Sequence, residues 1–486
     1  MTASHEVTVI GAGPAGVAAT YALARRKIPV TCLEAAGRVG GISGTVERKG
    51  FRFDIGGHRF FSKIPAVTSL WQEILGKEFL RRPRLSRIYY DGKFFNYPLQ
   101  PGNVLAGLGL ARAAKILASY LRSKLFPLEQ EKNFEQWVTN RFGAELYTIF
   151  FKPYTEKVWG MPCSKIGAEW AAQRIRGLSL WTAAVHALGK RPATVKSLID
   201  EFHYPRLGPG QMYETMAEKA ALLGARVLLA HRVVGVEHRH GRIRAVQLLH
   251  GGRPTRMVGT DFISTMPITE LVFAMRPEAP PQVVAAARAL RYRSLVTVNL
   301  MLRRPEKFPD TWIYVHDPQF KTGRVQFFAN WSPAMVPDAN HSSLALEYFC
   351  SEGDEFWSLS RDELRQLAIE EATALGLVDG DEVCDALVIK MPKCYPVYDD
   401  DYQRHMATIR SYLAGFGNLQ LCGRYGLFKY NNMDHSIYTG LCAVENILGA
   451  GHDLWSINAD EQYCEEGKIV DVPERRLRLT EGYASG

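Results

Sequence analysis

The chain has no signature of an exported or membrane-spanning protein. Its 8 cysteines are Cys32, Cys163, Cys350, Cys384, Cys394, Cys422, Cys442 and Cys464, and none falls in a C-x-x-C pair. Thiols scattered so thinly point to reduced cysteines and a cytoplasmic setting, not to a disulfide framework. They also lack zinc-site spacing, so no metal is expected. Met1 to Glu6 is short and polar, with no basic region leading into an apolar one, so no signal peptide is expected. No run of about 20 uninterrupted apolar residues occurs, so no spanning helix is expected. G-x-S-x-G and Cys–His nucleophile patterns are missing too. There is no internal repeat and no low-complexity segment.

Acidic charge is in deficit. Lys and Arg number 59 against 50 Asp and Glu, a net charge of +9. That surplus suits an anionic small molecule or an acidic surface. It is dispersed and accompanies no groove-reading motif, so nucleic-acid binding is not expected. Val104 to Phe126 is apolar but interrupted by Arg112, Lys115, Arg122 and Lys124. Such an amphipathic, basic stretch either packs on a substrate lobe or makes peripheral contact with a membrane. The oligomeric state stays open.

With 486 residues and roughly 150 per folding unit, two to three units are expected. Glu6 to Ile10 reads as a strand, Val17 to Arg26 as an Ala- and Leu-rich helix, and Ile28 to Leu33 as a second strand. Between the first two lies Gly11-Ala12-Gly13-Pro14-Ala15-Gly16. Gly11 permits the tight turn, Gly13 lets backbone approach a pyrophosphate, and Gly16 lets helix and strand pack closely. The helix N-terminus then offers free N–H groups and a positive dipole end. Glu34 ends the second strand, where an acid reaches ribose hydroxyls. A βαβ dinucleotide-binding unit follows. No second such glycine motif follows a strand, so a separate nicotinamide domain is not expected.

Three further segments select the dinucleotide. Glu34 is followed by Ala35-Ala36-Gly37-Arg38-Val39-Gly40-Gly41-Ile42. This resembles the E-x-x-x-R-x-G-G signature of the flavoprotein group that includes amine oxidases, protoporphyrinogen oxidase and phytoene desaturases. The resemblance implies FAD, held non-covalently, with Arg38 near its phosphates and Gly40 and Gly41 allowing close backbone approach. Phe53-Asp54-Ile55-Gly56-Gly57-His58 resembles the strand end that lies beside the flavin ring, where the glycines would leave room and His58 would face it. Arg232-Val233-Val234 resembles the segment that passes the adenine, and Asp261 to Pro267 the group's returning strand. Leu421-Cys422-Gly423-Arg424-Tyr425-Gly426 and the helix after it, with Met433, Asp434 and Ser436, resemble the C-terminal flavin segment.

Four islands resemble the UDP-galactopyranose mutase family more specifically. They are Lys93-Phe94-Phe95-Asn96-Tyr97-Pro98-Leu99, Phe151 to Gly160, Lys393-Cys394-Tyr395-Pro396-Val397-Tyr398, and Gly423 to Asp434. The resemblance implies chemistry on a nucleotide-linked sugar at the flavin N5. It gives Asn96, Tyr154, Lys157, Trp159, Arg174, Arg176, Tyr395, Tyr398 and Tyr430 substrate-binding roles, and His58, Arg174, Tyr395 and Tyr430 catalytic ones. The chain departs from that family's pattern at three places: Phe428 stands where a tyrosine is usual, Asn431-Asn432 is unusual, and Arg174-Ile175-Arg176 matches loosely. The other reading is net oxidation of an amine, an aminosugar or an isoprenoid-type lipid.

The fold class expected is α/β: a discontinuous Rossmann-like FAD-binding domain of the glutathione-reductase type, an inserted mainly helical lobe, and an antiparallel-sheet substrate domain. FAD-binding parts are expected over 1–64, 206–275 and 401–472. The helical lobe falls over 65–205, the substrate sheet over 276–400, and a tail over 473–486. Helical patterns dominate from about Pro65 to Leu188.

Overall fold

A computed structural model describes residues 5–97, 99–168 and 201–458. Its organising element is a five-stranded parallel sheet. In spatial order it runs Leu419–Leu421, Asp261–Ser264, Val7–Ile10, Val30–Leu33, Arg226–Leu228. Strands from the two ends and the middle of the chain therefore pair side by side. Val7–Ile10 is buried along its whole length, as a strand covered on both faces must be.

Helices Pro14–Arg25, Gly210–Leu222 and Met433–Ile447 pack together over one face of this sheet. Their close approach depends on small residues. A Cβ on Gly440 would stand 2.3 Å from the Ala15 carbonyl oxygen, and one on Gly16 only 1.8 Å from that of Gly11. The other face is covered by an antiparallel meander, Arg232–Arg239, Arg242–His250 and Arg253–Val258, with helices Ile268–Ala274 and Pro281–Ala289. The α/β architecture is as expected.

The second large sheet has seven strands. Its order is Val383–Pro396, Tyr292–Leu302, Ser342–Cys350, Arg324–Gln326, Trp312–Val315, Ser86–Tyr90, Lys93–Asn96. All its pairings are antiparallel except that of Trp312–Val315 with Ser86–Tyr90. Helices Pro101–Leu108, Leu110–Leu125, Phe134–Phe142 and Lys152–Trp159 follow its edge strand. One helical expectation needs correction. Phe79–Pro83, Ser86–Tyr90 and Lys93–Asn96 are strands inside the stretch read as helical. Phe79–Pro83 pairs with Glu201–Pro205 and Ser86–Tyr90 with Trp312–Val315, each more than a hundred residues downstream, and local periodicity carries no trace of such pairing; Lys93–Asn96 closes a local hairpin on Ser86–Tyr90.

Candidate functional site

The site is assembled at the carboxyl ends of the parallel strands, where such sheets bind ligands. Gly11 follows the first strand with φ +97°, and a Cβ there would meet Thr265 Oγ1 at 2.2 Å. Both backbone and neighbour demand glycine. Gly13 differs: its backbone is extended, and a Cβ would meet nothing within 4 Å. The protein does not fill the space in front of it. Pro14 opens the helix, whose first turn carries no acidic residue and no side-chain cap, and Ala15 sits directly beneath Gly440 and Gly423. The amide end is thus left for an anion.

Glu34 accepts from the Ala12 amide at 2.7 Å and from Ala36 at 2.8 Å. This braces the glycine turn against the end of the second strand. Ala35 beside it is exposed. The Gly40 amide donates to Ala12, and Gly41 lies against Gly13, with Ile42 in the short turn Gly41–Ser43. Arg38 is half-buried, and no hydrogen bond to its guanidinium is found among the described residues. Burial lowers its pKa, and the charge of Glu214 partly offsets this. A desolvated guanidinium beside an uncapped helix end fits a phosphate group.

The C-terminal segment closes the same crevice. Gly423 has φ +79°, and its amide donates to Thr439 Oγ1 at 2.9 Å. The helix Met433–Ile447 places Met433, Asp434 and Ser436 all in its first turn. Asp434 and His435 are buried there as a pair, 3.3 Å apart. Val234 is exposed at a bulge between Val233 and Gly235, next to the segment whose His231 amide donates to the Glu34 carbonyl.

On the ring side the two glycines differ: Gly56 is in the left-handed region at φ +84°, while Gly57 lies against a side chain of the seven-stranded sheet. A Cβ on Gly57 would strike the Gln326 side chain at 2.4 Å. The glycine admits Gln326, which donates to Glu347 at 2.9 Å, while the Gly57 amide donates to the same carboxylate at 3.1 Å. His58 Nδ1 lies 2.8 Å from the Gly56 carbonyl, which fixes the proton on Nδ1 and leaves Nε2 as an acceptor. Burial, with Arg324 and Arg424 nearby, pushes the His58 pKa down to about 4. His58 is therefore neutral at physiological pH.

Around His58 stands a wall of phenols and guanidiniums. Arg324 forms a buried two-point pair with Glu347, at 2.7 and 2.9 Å. Burial would lower the Arg324 pKa, yet Glu347 and the neighbouring phenols hold it well above its ordinary value. Arg424 donates to the Cys394 carbonyl at 2.8 Å and to that of Asn431 at 3.1 Å, and lies over the rings of Tyr430 at 4.2 Å and Tyr395 at 5.0 Å. Tyr395 and Tyr430 stack at 5.6 Å. Tyr154 stacks on His316 at 5.0 Å and meets Tyr314 edge-on. Burial raises the Tyr154 and Tyr395 pKa values well above the ordinary phenol value. Both remain O–H donors.

Other expected site residues hold the fold. Lys157 gives all three ammonium hydrogens to the carbonyls of Val315, Asp317 and Thr322, at 2.9 to 3.2 Å. Trp159 is buried in the helical core and meets the wall at Tyr430. The Tyr398 hydroxyl accepts from the Tyr430 amide at 2.7 Å and so orients that ring. Asn96 bonds Gln100 and Asn103 at the end of its strand. Arg174 and Arg176 lie outside the described residues. Sequence motifs did not reveal Arg324, Glu347, Gln326 and Tyr314, which sit on ordinary strands, or His316 just past the end of one. Nor did they reveal Arg59 and Arg84, which lie over Trp312 at 5.6 and 5.4 Å; adjacency to His58 was the one available signal for Arg59.

Fold, glycine cradle, braced acid and uncapped helix ends together define an FAD-binding flavoenzyme. The flavin-containing amine oxidoreductase profile matches residues 14–448, and the chain belongs to that family. The solved structure of reduced UDP-galactopyranose mutase is similar, with a TM-score of 0.81 and 21% identity over 93% of this chain and 97% of that one. A candidate protoporphyrinogen oxidase from Exiguobacterium sp. 255-15 has a TM-score of 0.69 and 18% identity, over 92% and 99%. Protoporphyrinogen oxidase 2 of Arabidopsis thaliana is 28% identical over 158 residues, 30% of this chain and 31% of that protein. The match thus spans about a third of that curated relative's length.

Proposed function

We propose that this flavoenzyme acts on a nucleotide-linked sugar, with bound FAD supplying chemistry at its N5 atom. The observation that carries the reading is the charge of the wall beside His58. Arg424 is half-buried there between the rings of Tyr395 and Tyr430, with no carboxylate partner among the described residues, while Arg324 beside Tyr154 is neutralised by its pair with the buried Glu347. Guanidiniums and neutral phenols suit a diphosphate and sugar hydroxyls. The unpaired charge of Arg424 disfavours an ammonium substrate, and polar rings form a poor seat for an isoprenoid chain. Similarity to the mutase fold supports the reading.

On this reading Arg424 attracts the diphosphate, while Tyr154 and Tyr395 donate to oxygens that gain charge as the anomeric bond weakens. His58, neutral and fixed through Nδ1, accepts at Nε2. Residues 395 and 430 orient the sugar, and the protein supplies placement while the cofactor supplies the hard step. The test incubates purified holoenzyme with nucleotide sugars before and after dithionite reduction. Ring isomers are read by chromatography and hydrogen peroxide is followed in parallel. Isomerisation confined to the reduced enzyme, without peroxide, is expected. Steady oxygen consumption with an amine, aminosugar or isoprenoid lipid, and no flavin spectral response to nucleotide sugars, overturns the reading.

A further inference from the structure

The helix Leu110–Leu125 has two unlike faces. One is packed: Ile116 and Ser123 are buried, the Ser119 hydroxyl accepts from the Glu145 amide, and a Cβ on Gly143 would strike the Tyr120 backbone at 2.7 Å. The other is bare. Leu110 is 78% exposed, Leu117 58%, Leu121 50% and Leu125 73%, and Phe126 just beyond is 76% exposed. At about 100° per residue, these four leucines fall within roughly 80° of one another around the helix. They make one continuous apolar stripe, opposite the packed side. Scattered surface leucines are ordinary, but an aligned run is not.

The charge carried by the helix itself is of one sign. Residues 101–127 contain Arg112, Lys115, Arg122 and Lys124 and no Asp or Glu. Arg112 turns inward to Asp91 and Tyr90. Among the described residues Lys115, Arg122 and Lys124 form no ion pair, and Lys115 and Arg122 border the leucines along one edge. Among the described residues no helix is long and apolar enough to cross a membrane. The stripe is also rigidly placed. The preceding helix is clamped to the sheet edge by Lys93, whose ammonium donates to Gly107 at 2.7 Å, and by Phe95 against Gly107. That edge strand leads to Tyr97, which meets Tyr314 of the candidate substrate wall at 5.4 Å.

We infer that this face seats the protein on an anionic lipid surface, with the helix lying in the interface and the mouth of the site held near the headgroups. Leucines enter the acyl boundary while Lys115, Arg122 and Lys124 meet lipid phosphates. A second copy docked through the same face would set these cations against their own kind, which is why charge favours the lipid. The inference is independent of which substrate the flavin site takes.

The test is flotation of the holoenzyme with vesicles of mixed phosphatidylglycerol and phosphatidylcholine, compared with phosphatidylcholine alone. Partition at least about tenfold stronger on the anionic vesicles is expected, weakening as salt is raised. Leu117→Asp/Leu121→Asp is expected to lower that partition at least about tenfold. Lys115→Glu/Arg122→Glu/Lys124→Glu is expected to remove the preference for anionic lipid. Flavin absorbance in each variant certifies the fold. Equal partition of wild type and leucine variant overturns the inference. So does a wild-type dimer in sedimentation velocity that the leucine variant breaks, with no vesicle binding by either.

Discussion

Replacing Gly13 by Ala separates what the fold needs from what the cofactor needs. Gly13 has φ −72° and ψ −177°, a conformation open to alanine, and its new Cβ would meet no protein atom within 4 Å. Alanine loses about 0.5–1 kcal/mol as a helix cap relative to glycine and regains about 0.4–1 kcal/mol by restricting the unfolded chain. Apoprotein stability should therefore stay within about 0.5 kcal/mol of wild type. The methyl group instead enters the space reserved for pyrophosphate. A hundredfold loss of FAD affinity, the expected scale, removes about 2.7 kcal/mol of cofactor stabilisation at saturation. Gly16→Ala behaves oppositely: its Cβ would stand 1.8 Å from the Gly11 oxygen, and overpacking of roughly 3 kcal/mol or more appears in apo- and holoprotein alike. Urea denaturation with and without FAD, and flavin fluorescence titration, read both quantities. A Gly13→Ala apoprotein weakened as much as Gly16→Ala, or one binding FAD normally, refutes the reasoning.

Two further outcomes follow from buried charge. Arg324→Met strands Glu347, which is wholly buried, and should cost about 3–5 kcal/mol, most of it recovered in Arg324→Met/Glu347→Met; a single variant losing under about 1 kcal/mol in urea contradicts the pairing. In the apoprotein, pH acts through two groups of opposite sign. His58 has its pKa lowered to about 4 in the folded state by burial, so the folded chain holds fewer protons between pH 4 and 6.5 and stability falls as pH drops through that window. Asp54, buried beneath Tyr204 and Thr45, is raised to about 8 by burial. The folded chain there holds an extra proton, and stability falls as pH climbs from about 4 to 8. His58→Gln should flatten the acid slope and Asp54→Asn the alkaline one in denaturant midpoints measured across pH. Unchanged slopes reject these assignments.

The cofactor half of the protein was legible along the chain because its chemistry is local. Gly11, Gly13, Gly16, Glu34 and Arg38 act through turns and a helix end built within 30 residues, and each geometric demand leaves its own residue type behind. Even the two distant contributions, Gly423–Arg424 and the first turn of Met433–Ile447, carried a glycine or helix signal of their own. The candidate substrate wall was legible only where a motif happened to cover it, at His58, Tyr154, Tyr395, Arg424 and Tyr430. Arg324, Glu347 and Gln326 are single residues on strands, and nothing in their neighbours says that they converge. Their meeting with His58 depends on register across the seven-stranded sheet and on its docking against the Gly56–Gly57 turn. The chain order likewise could not tell a lysine that reaches solvent from Lys157, which binds three carbonyls, nor show that Gln326 lies against Gly57. Sequence determined the backbone chemistry of the flavin cradle, because turn and cap requirements are short-range. Tertiary structure alone decided which side chains face the cleft, because burial and pairing between distant strands are set by packing.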